Sequence, residues 1–269
     1  ILIFRLNKIF KMKNTFILLL MFVLISFDGI SQKVEGISIM DAVVLKEGME
    51  EKYIEVEEFW SKIHEELIKE GKKVDWSIWK RLPGEPVSID SKPADFFIFN
   101  NFESIEQMQA NNDIDYVAIA QKVHGISKKK ATKMIESSSD PRETTRSYTL
   151  SILSRAMAQD LKIEKGTIAS IALMQQKNDD YESFEMEVFK NQFQKRIDAG
   201  AHNFWGFTRV ENRSENAYNQ FTHICFNING EKEYNGKDDF KTQKLVELGM
   251  KSRDMIPNPG SMECVFVKQ

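Results

Sequence analysis

The chain has 269 residues, of which 42% are hydrophobic, 11% aromatic and 29% charged, with a net charge of −3. That is enough apolar material for one large or two modest cores. The acidic balance argues against nucleic acid or an anionic membrane surface as the main partner; the local exception, Lys128–Lys130 with Lys133, reads as a solvated helix face.

In chain order the first feature is an export signal over 1–31. A start at Met12 places Lys13 ahead of the apolar run "FILLLMFVLISF" (16–27), with Gly29 and Ser31 as the small residues before cleavage at Gln32. The run is short for a bilayer span, so the expectation is a periplasmic or secreted protein with no stable membrane insertion after cleavage. The competing reading is an uncleaved anchor, because residues 1–10 are also apolar-rich. Removing 1–31 takes away Arg5, Lys8, Lys11 and Lys13 but only one acid, Asp28, which moves the net charge from −3 to −6.

Next comes a β-rich run, "ISIMDAVVL" (37–45). Tyr53, Val56, Trp60, Ile63 and Leu67 then recur at three- and four-residue spacing and predict an amphipathic helix over 50–69. Gly71 stops it. "VDWSIWKRL" (74–82) and "DFFIFNNF" (95–102) predict a hairpin with a long connection between Pro83 and Pro93. Helical sequence follows Glu103, with a break expected at Gly125. After the turn "SSSDP" (137–141), "YTLSILSRAMA" (148–158) reads as a strand.

The same order then recurs. "TIASIALM" (167–174) is a strand, 179–199 a helix stopped by Gly200, and "HNFWGFTRV" (202–210) with "FTHICFNI" (221–228) a hairpin. Residues 237–253 are a helix, "PNPG" (257–260) a turn and "MECVFV" (262–267) the closing strand. "IKEGKKVDWSIWKR" (68–81) and "IDAGAHNFWGFTRV" (197–210) share Ile, Gly and Trp at the same spacings, and Tyr53 and Glu57 echo Tyr181 and Glu185. The offset drifts by a residue or two, as in a duplication that has taken insertions. The chain therefore reads as a first repeat over 32–160 and a second over 161–269, each βαββαβ. The segment 104–147 is longer than its counterpart.

A βαββαβ unit lays two helices on one face of a four-stranded antiparallel sheet, and its other face must be covered. On this element order and duplication, the chain resembles the dimeric α+β barrel superfamily. The resemblance implies two tandem ferredoxin-like units packing sheet to sheet as a pseudo-dimeric barrel around a cavity. It also implies a small apolar or aromatic ligand. Some members are monooxygenases that use Asn, Trp and His without a metal, and some bind haem through a helical histidine, for which His64 and His124 are the candidates.

Strand alternation places Asn203, Trp205, Phe207 and Arg209 on one face, joined across the hairpin by Phe221, His223, Cys225 and Asn227. The matching face of the first repeat carries Trp76, Ile78, Lys80, Phe96, Ile98 and Asn100. Trp76, Lys80, Asn100, Trp205, Arg209, His223 and Asn227 are the ligand-binding candidates, and the alternative is that the same face is plain core. No metal-spaced histidine pair, P-loop, GxGxxG or GxSxG occurs, so no resident cofactor or metal is called for. An exported protein invites a Cys225–Cys264 disulfide. In strand order 4-1-3-2, however, strand one separates them by about 9.5 Å, beyond the roughly 7 Å limit. Both thiols are therefore expected free.

The functional expectation is an exported small-molecule-binding barrel, with cofactor-independent monooxygenase-like chemistry on an aromatic or apolar compound as its enzymatic form. The rival is a non-catalytic binding or assembly module with a filled core; a haem-binding barrel is a lesser alternative. Further oligomerisation through sheet edges stays open.

Overall fold

The computed structural model of the protein describes residues 34–84, 92–256 and 260–269. The export signal read over 1–31, the tip of the 83–93 connection and most of the "PNPG" turn lie outside the described residues.

The first repeat contains β1 (Gly36–Leu45), α1 (Glu50–Lys69), β2 (Asp75–Arg81), β3 (Phe96–Phe102), three short helices and β4 (Arg142–Met157). The short helices are α2 (Ile105–Ala110), α3 (Tyr116–His124) and α4 (Lys128–Glu136). Each starts where the sequence supplies a cap: Ser104, Asp115 and Ser127 accept from the backbone N–H of Gln107, Ala118 and Lys130. Gly125, in the left-handed conformation, ends α3. Lys128–Lys130 and Lys133 are exposed on α4.

The second repeat contains β5 (Ile168–Gln176), α5, β6 (His202–Arg213), β7 (His223–Asn229), α6 (Phe240–Lys251), β8 (Arg253–Ile256) and β9 (Ser261–Lys268). Helix α5 runs from Tyr181–Ser183 through a π-helical turn, Phe184–Phe189, to Lys190–Asp198. The helix expected over 237–253 thus stops at Lys251, and β8 pairs along β5 instead.

Each repeat has its strands in the order fourth, first, third, second: β4-β1-β3-β2 and β9-β5-β7-β6. The repeats then join edge to edge. β4 pairs with β6, and β2 pairs with β9, all antiparallel. Eight strands close on themselves, which removes the open edges that two separate sheets would present.

Alternation along the strands sends one set of side chains into the barrel and the other under the helices. The interior holds Met40, Ala42, Trp79, Tyr148, Leu150, Ile171, Ile224, Met262 and Cys264, with Phe97, Phe99, Phe204 and Phe226 packed against them. Phe226 touches Trp79, Phe99 and Phe204 edge-on at centroid distances of 5.2, 5.6 and 5.8 Å. The rings of Phe97, Phe99, Phe204 and Phe226, each partly exposed, line the space between the sheets.

Under the helices, Tyr53 of α1 packs on Val43, Trp76, Ile78, Phe96 and Ile98. Tyr181 of α5 packs with Trp205, Phe207 and Cys225. The long 104–147 segment covers the outer side of α1: Ile119, Ala120 and Ala131 meet Phe59, Ile63 and Leu67. Cys225 and Cys264 are both free and buried. β5 runs between their strands, and they point to opposite faces.

The echoed Tyr and Glu positions are the same feature built twice. Glu57 of α1 pairs with Arg142 at the start of β4. Glu185 of α5 pairs with Arg253 at the start of β8. In the first pair the arginine side chain is 22% exposed, in the second only 8%. Removing the acid leaves a charge that water reaches in one case and not in the other. Glu185→Gln is therefore expected to cost about 3–5 kcal/mol, and Glu57→Gln clearly less, in urea denaturation of each variant. Equal losses would contradict that burial argument.

Candidate functional site

Helix α1 ends in a left-handed glycine, Gly71 (φ 67°), and the chain turns back toward the sheet. Lys73, just ahead of β2, is carried inward beneath the helix and is only 4% exposed. Its Nζ lies 3.0 Å from His64 Nδ1 and donates to Asn100 Oδ1 at 2.6 Å. Below it, at 5.5 Å, is the ring of Phe102. Among the described residues no carboxylate stands within ion-pair distance of this ammonium.

Burial pulls the Lys73 amine down to about 7, against the raising effect of nearby Asp75. This brings the neutral amine within reach near neutral pH. Burial, reinforced by Lys73, also holds His64 well below its usual value, so its imidazole is neutral. The ring lies between two indoles, Trp76 at 4.7 Å and Trp60 at 5.8 Å, at interplanar angles of 27° and 28°. Tyr116 of α3 meets Trp60 edge-on at 5.6 Å. Trp76 is wholly buried, whereas His64, Trp60, Asn100 and Tyr116 each keep a partly exposed surface. The amine thus lies one side-chain layer below solvent.

On the opposite face of the same strands, Asp75 accepts from Asn101 Nδ2 at 2.7 Å. Burial pushes its carboxyl up to about 6, although the Asn101 hydrogen bond and Lys73 both oppose this.

The second repeat reproduces this frame with different chemistry. Trp76 stands opposite Asn100 in the β2–β3 ladder, and Trp205 opposite Asn227 in the β6–β7 ladder. Phe193 stacks on Trp205 at 5.3 Å, where His64 stacks on Trp76. His202 takes the place of Lys73, hydrogen-bonded to Asn227 as Lys73 is to Asn100, and burial lowers its pKa. The imidazole–amine pair of the first repeat is a Phe–His pair in the second. The duplicated layer is chemically equipped on one side only.

The expectation that the Trp76 and Trp205 faces line a common cavity between the sheets does not match this arrangement. Both tryptophans are on the outer face of the barrel, each beneath its own helix, because the opposite alternation fills the interior. Trp76 and Asn100 do come together, as do Trp205 and Asn227. Lys80 does not join them. Four residues along β2, about 13 Å away, it pairs with Glu50 at the protein surface. Phe221 also lies elsewhere, in the barrel interior beside Tyr148 at 5.4 Å.

Arg209 and His223 face each other across the β6–β7 ladder and share Glu182 of α5, at 3.1 Å and 2.9 Å. Burial raises the Glu182 carboxyl, but hydrogen bonds from His223 and Arg209 outweigh it and hold the group below its ordinary value. His223 is fully buried, its other nitrogen 2.8 Å from Thr222 Oγ1. This network clamps α5 to the sheet.

Sequence reasoning missed Lys73 and His202. Lys73 precedes its strand, so alternation does not assign it. A β-bulge between His202 and Phe204 brings His202 to the helix side, 5.0 Å from Phe193, although simple alternation puts Asn203 there. The available signal was the repeat itself, since Lys73 and His202 stand three residues before the matched tryptophans.

The residues do not present a haem ligand ready-made. His124 Nε2 is 3.0 Å from the Phe59 carbonyl oxygen, and its ring stacks on Phe59 at 4.5 Å. His64 Nδ1 is engaged by Lys73, and its ring stacks with the indoles of Trp76 and Trp60. Among the described residues no group of three His, Cys, Asp or Glu is placed to hold a metal ion.

No known family's profile matches the chain, and no curated protein matches it. Solved structures do. An anthrone oxidase-like protein is similar at TM-score 0.52 and 6% identity, over 88% of this chain and 94% of its own. A proposed monooxygenase from Lactobacillus acidophilus NCFM reaches TM-score 0.53 at 10% identity, over 87% and 96%. Another from Fusobacterium nucleatum reaches 0.53 at 9%, over 87% and 94%. At these identities the likeness is one of fold. Together with the strand order and the closed eight-stranded ladder, it gives this chain the dimeric α+β barrel fold, with two ferredoxin-like repeats fused in one polypeptide.

Proposed function

We propose that this is an exported small-molecule-binding barrel with cofactor-independent, monooxygenase-like activity on an aromatic compound bearing an acidic C–H or O–H. Its site is the α1–sheet layer of the first repeat. The observation that carries the reading is Lys73: a buried amine with no carboxylate at ion-pair distance among the described residues, poised near neutral pH beside a neutral imidazole. A neutral amine of this kind is a general base matched to its working pH. Structures similar in fold that are described as an anthrone oxidase-like protein and as proposed monooxygenases support the same class of chemistry.

In this reading the substrate ring rests on the half-buried edges of Trp60, His64 and Tyr116. Lys73 takes the acidic proton, and the resulting ammonium stays beside the substrate anion and stabilises it in a low-dielectric setting. Asn100 and His64 hold the nitrogen in place. Dioxygen is the oxidant. At an activated CH2 carbon, one oxygen atom replaces the two hydrogens to give a carbonyl, and the other leaves as water.

The test is oxygen uptake with anthrone and related acidic aromatics, paired with native mass spectrometry of the same mixtures. Uptake should occur with one aromatic bound per chain, because only the first repeat carries the amine and imidazole. Two per chain, or uptake unchanged in Lys73→Met, would remove the first repeat as the site. The aromatic rings packed against one another in the barrel interior favour the rival, a module without chemistry; in that case no aromatic binds and none drives oxygen uptake.

A further inference from the structure

We propose that Lys73 is also a carbonyl-capturing amine, which condenses with a small aromatic aldehyde to form an imine in the α1–sheet layer. This rests on the reading that the layer is the ligand site, and it assigns that site a second chemistry that needs no oxygen. The geometry carries it. A neutral amine has two N–H bonds and one lone pair around nitrogen. With the His64 proton on Nε2, two acceptors, His64 Nδ1 at 3.0 Å and Asn100 Oδ1 at 2.6 Å, take the two hydrogens. The remaining tetrahedral direction belongs to the lone pair. A lysine paired directly with a carboxylate would stay protonated and have no lone pair to give; here the groups in contact are two neutral acceptors and the face of Phe102, and the nearby carboxyl of Asp75 acts through space without an ion pair and is outweighed by burial.

The step balances without an oxidant. The nitrogen lone pair forms a C–N bond to the carbonyl carbon as the C=O π bond breaks toward oxygen. His64 Nδ1, within hydrogen-bond reach of the nitrogen, carries the two protons that the nitrogen sheds, one after the other, to that oxygen, which becomes first a hydroxyl and then water. Water leaves, and the product is a C=N bond between Lys73 and the aldehyde carbon. The second repeat cannot do the same, because His202 and Phe193 replace the amine and its proton acceptor. The half-buried aromatic rings linked to the amine through His64, Trp60 stacked on that imidazole and Tyr116 edge-on to Trp60, favour an aromatic aldehyde over a sugar or a charged one.

The experiment treats the full chain with benzaldehyde and cyanoborohydride at pH 7, without oxygen, and maps the reduced adducts by peptide mass spectrometry. Lys73 should be labelled first, on the order of 100-fold faster than the exposed lysines, since an ordinary lysine with a pKa near 10.4 is almost wholly protonated at pH 7. His64→Phe, which copies the second repeat, should slow Lys73 labelling by about tenfold while circular dichroism shows the fold retained. Lys73 left unlabelled while surface lysines react, or labelled only at their rate, overturns the proposal. Labelling without any oxygen uptake would sink the oxygenase reading alone. Uptake without labelling would sink only the imine.

Discussion

Lys73→Met should lower oxygen uptake with acidic aromatics by about 100-fold or more, the usual scale for loss of a general base. It should also remove a pH dependence of stability that the wild type has. Methionine fills much of the same buried space but neither donates to Asn100 and His64 nor titrates. In the wild type the amine sits at about 7 in the folded chain and near 10.5 once unfolded. Below pH 7 both states carry the proton. Between about 7 and 10.5 the unfolded chain holds a proton that the folded chain does not, so this group's contribution grows more favourable as pH rises. The slope approaches about 1.4 kcal/mol per pH unit in that window and is absent above and below it. Urea midpoints of the two proteins, measured at half-unit steps from pH 6 to 10, give the difference directly. A variant whose stability tracks the wild type across the whole range would mean that Lys73 is protonated in the fold and neither a base nor a nucleophile.

Trp205→Ala is the other large effect, and it acts on stability rather than chemistry. The side chain is wholly buried, stacked between Phe193 at 5.3 Å and Phe207 at 6.1 Å with interplanar angles of 15° and 12°. Its removal should cost about 3–5 kcal/mol, a large share of the roughly 5–15 kcal/mol that holds a domain together. Any folded fraction should still bind one aromatic per chain, because the equipped layer lies under α1. Chemical denaturation and native mass spectrometry on the same sample separate the two effects. Loss of the ligand with little loss of stability would instead place a binding site beside Trp205.

The two results bear on what duplication has done here. The repeats share a frame, tryptophan opposite asparagine with an aromatic ring from the helix stacked above, and they differ at the two positions that the proposed function uses, Lys73 and His64 against His202 and Phe193. The register drift between them has a visible cause. Tyr53 and Tyr181 are 128 residues apart, as are Glu57 and Glu185, whereas His64 and Phe193, and Trp76 and Trp205, are 129 apart. The extra residue falls within α5, where the π-helical turn Phe184–Phe189 takes it up. The pairing of Glu185 with Arg253 on one side and the stacking of Phe193 on Trp205 on the other are thereby both kept.

The order of elements, the duplication, the strand order and the separation of the two cysteines were legible in the sequence by itself. The elements and the duplication follow from local periodicity and helix-stopping glycines, while the strand order and the cysteine separation follow from the resemblance of each βαββαβ unit to the ferredoxin-like arrangement. Only the tertiary structure decided which face of each strand meets the helices, because an alternating strand is apolar enough on both sides when one faces a barrel interior and the other a helix. It also decided that Lys73, which the sequence shows as one more cation before a strand, loses its water and acquires His64 and Asn100. Charge state and reactivity depend on burial and on neighbours brought from 9 and 27 residues away. Those neighbours meet only when the helix, the turn after Gly71 and the β2–β3 ladder are all in place.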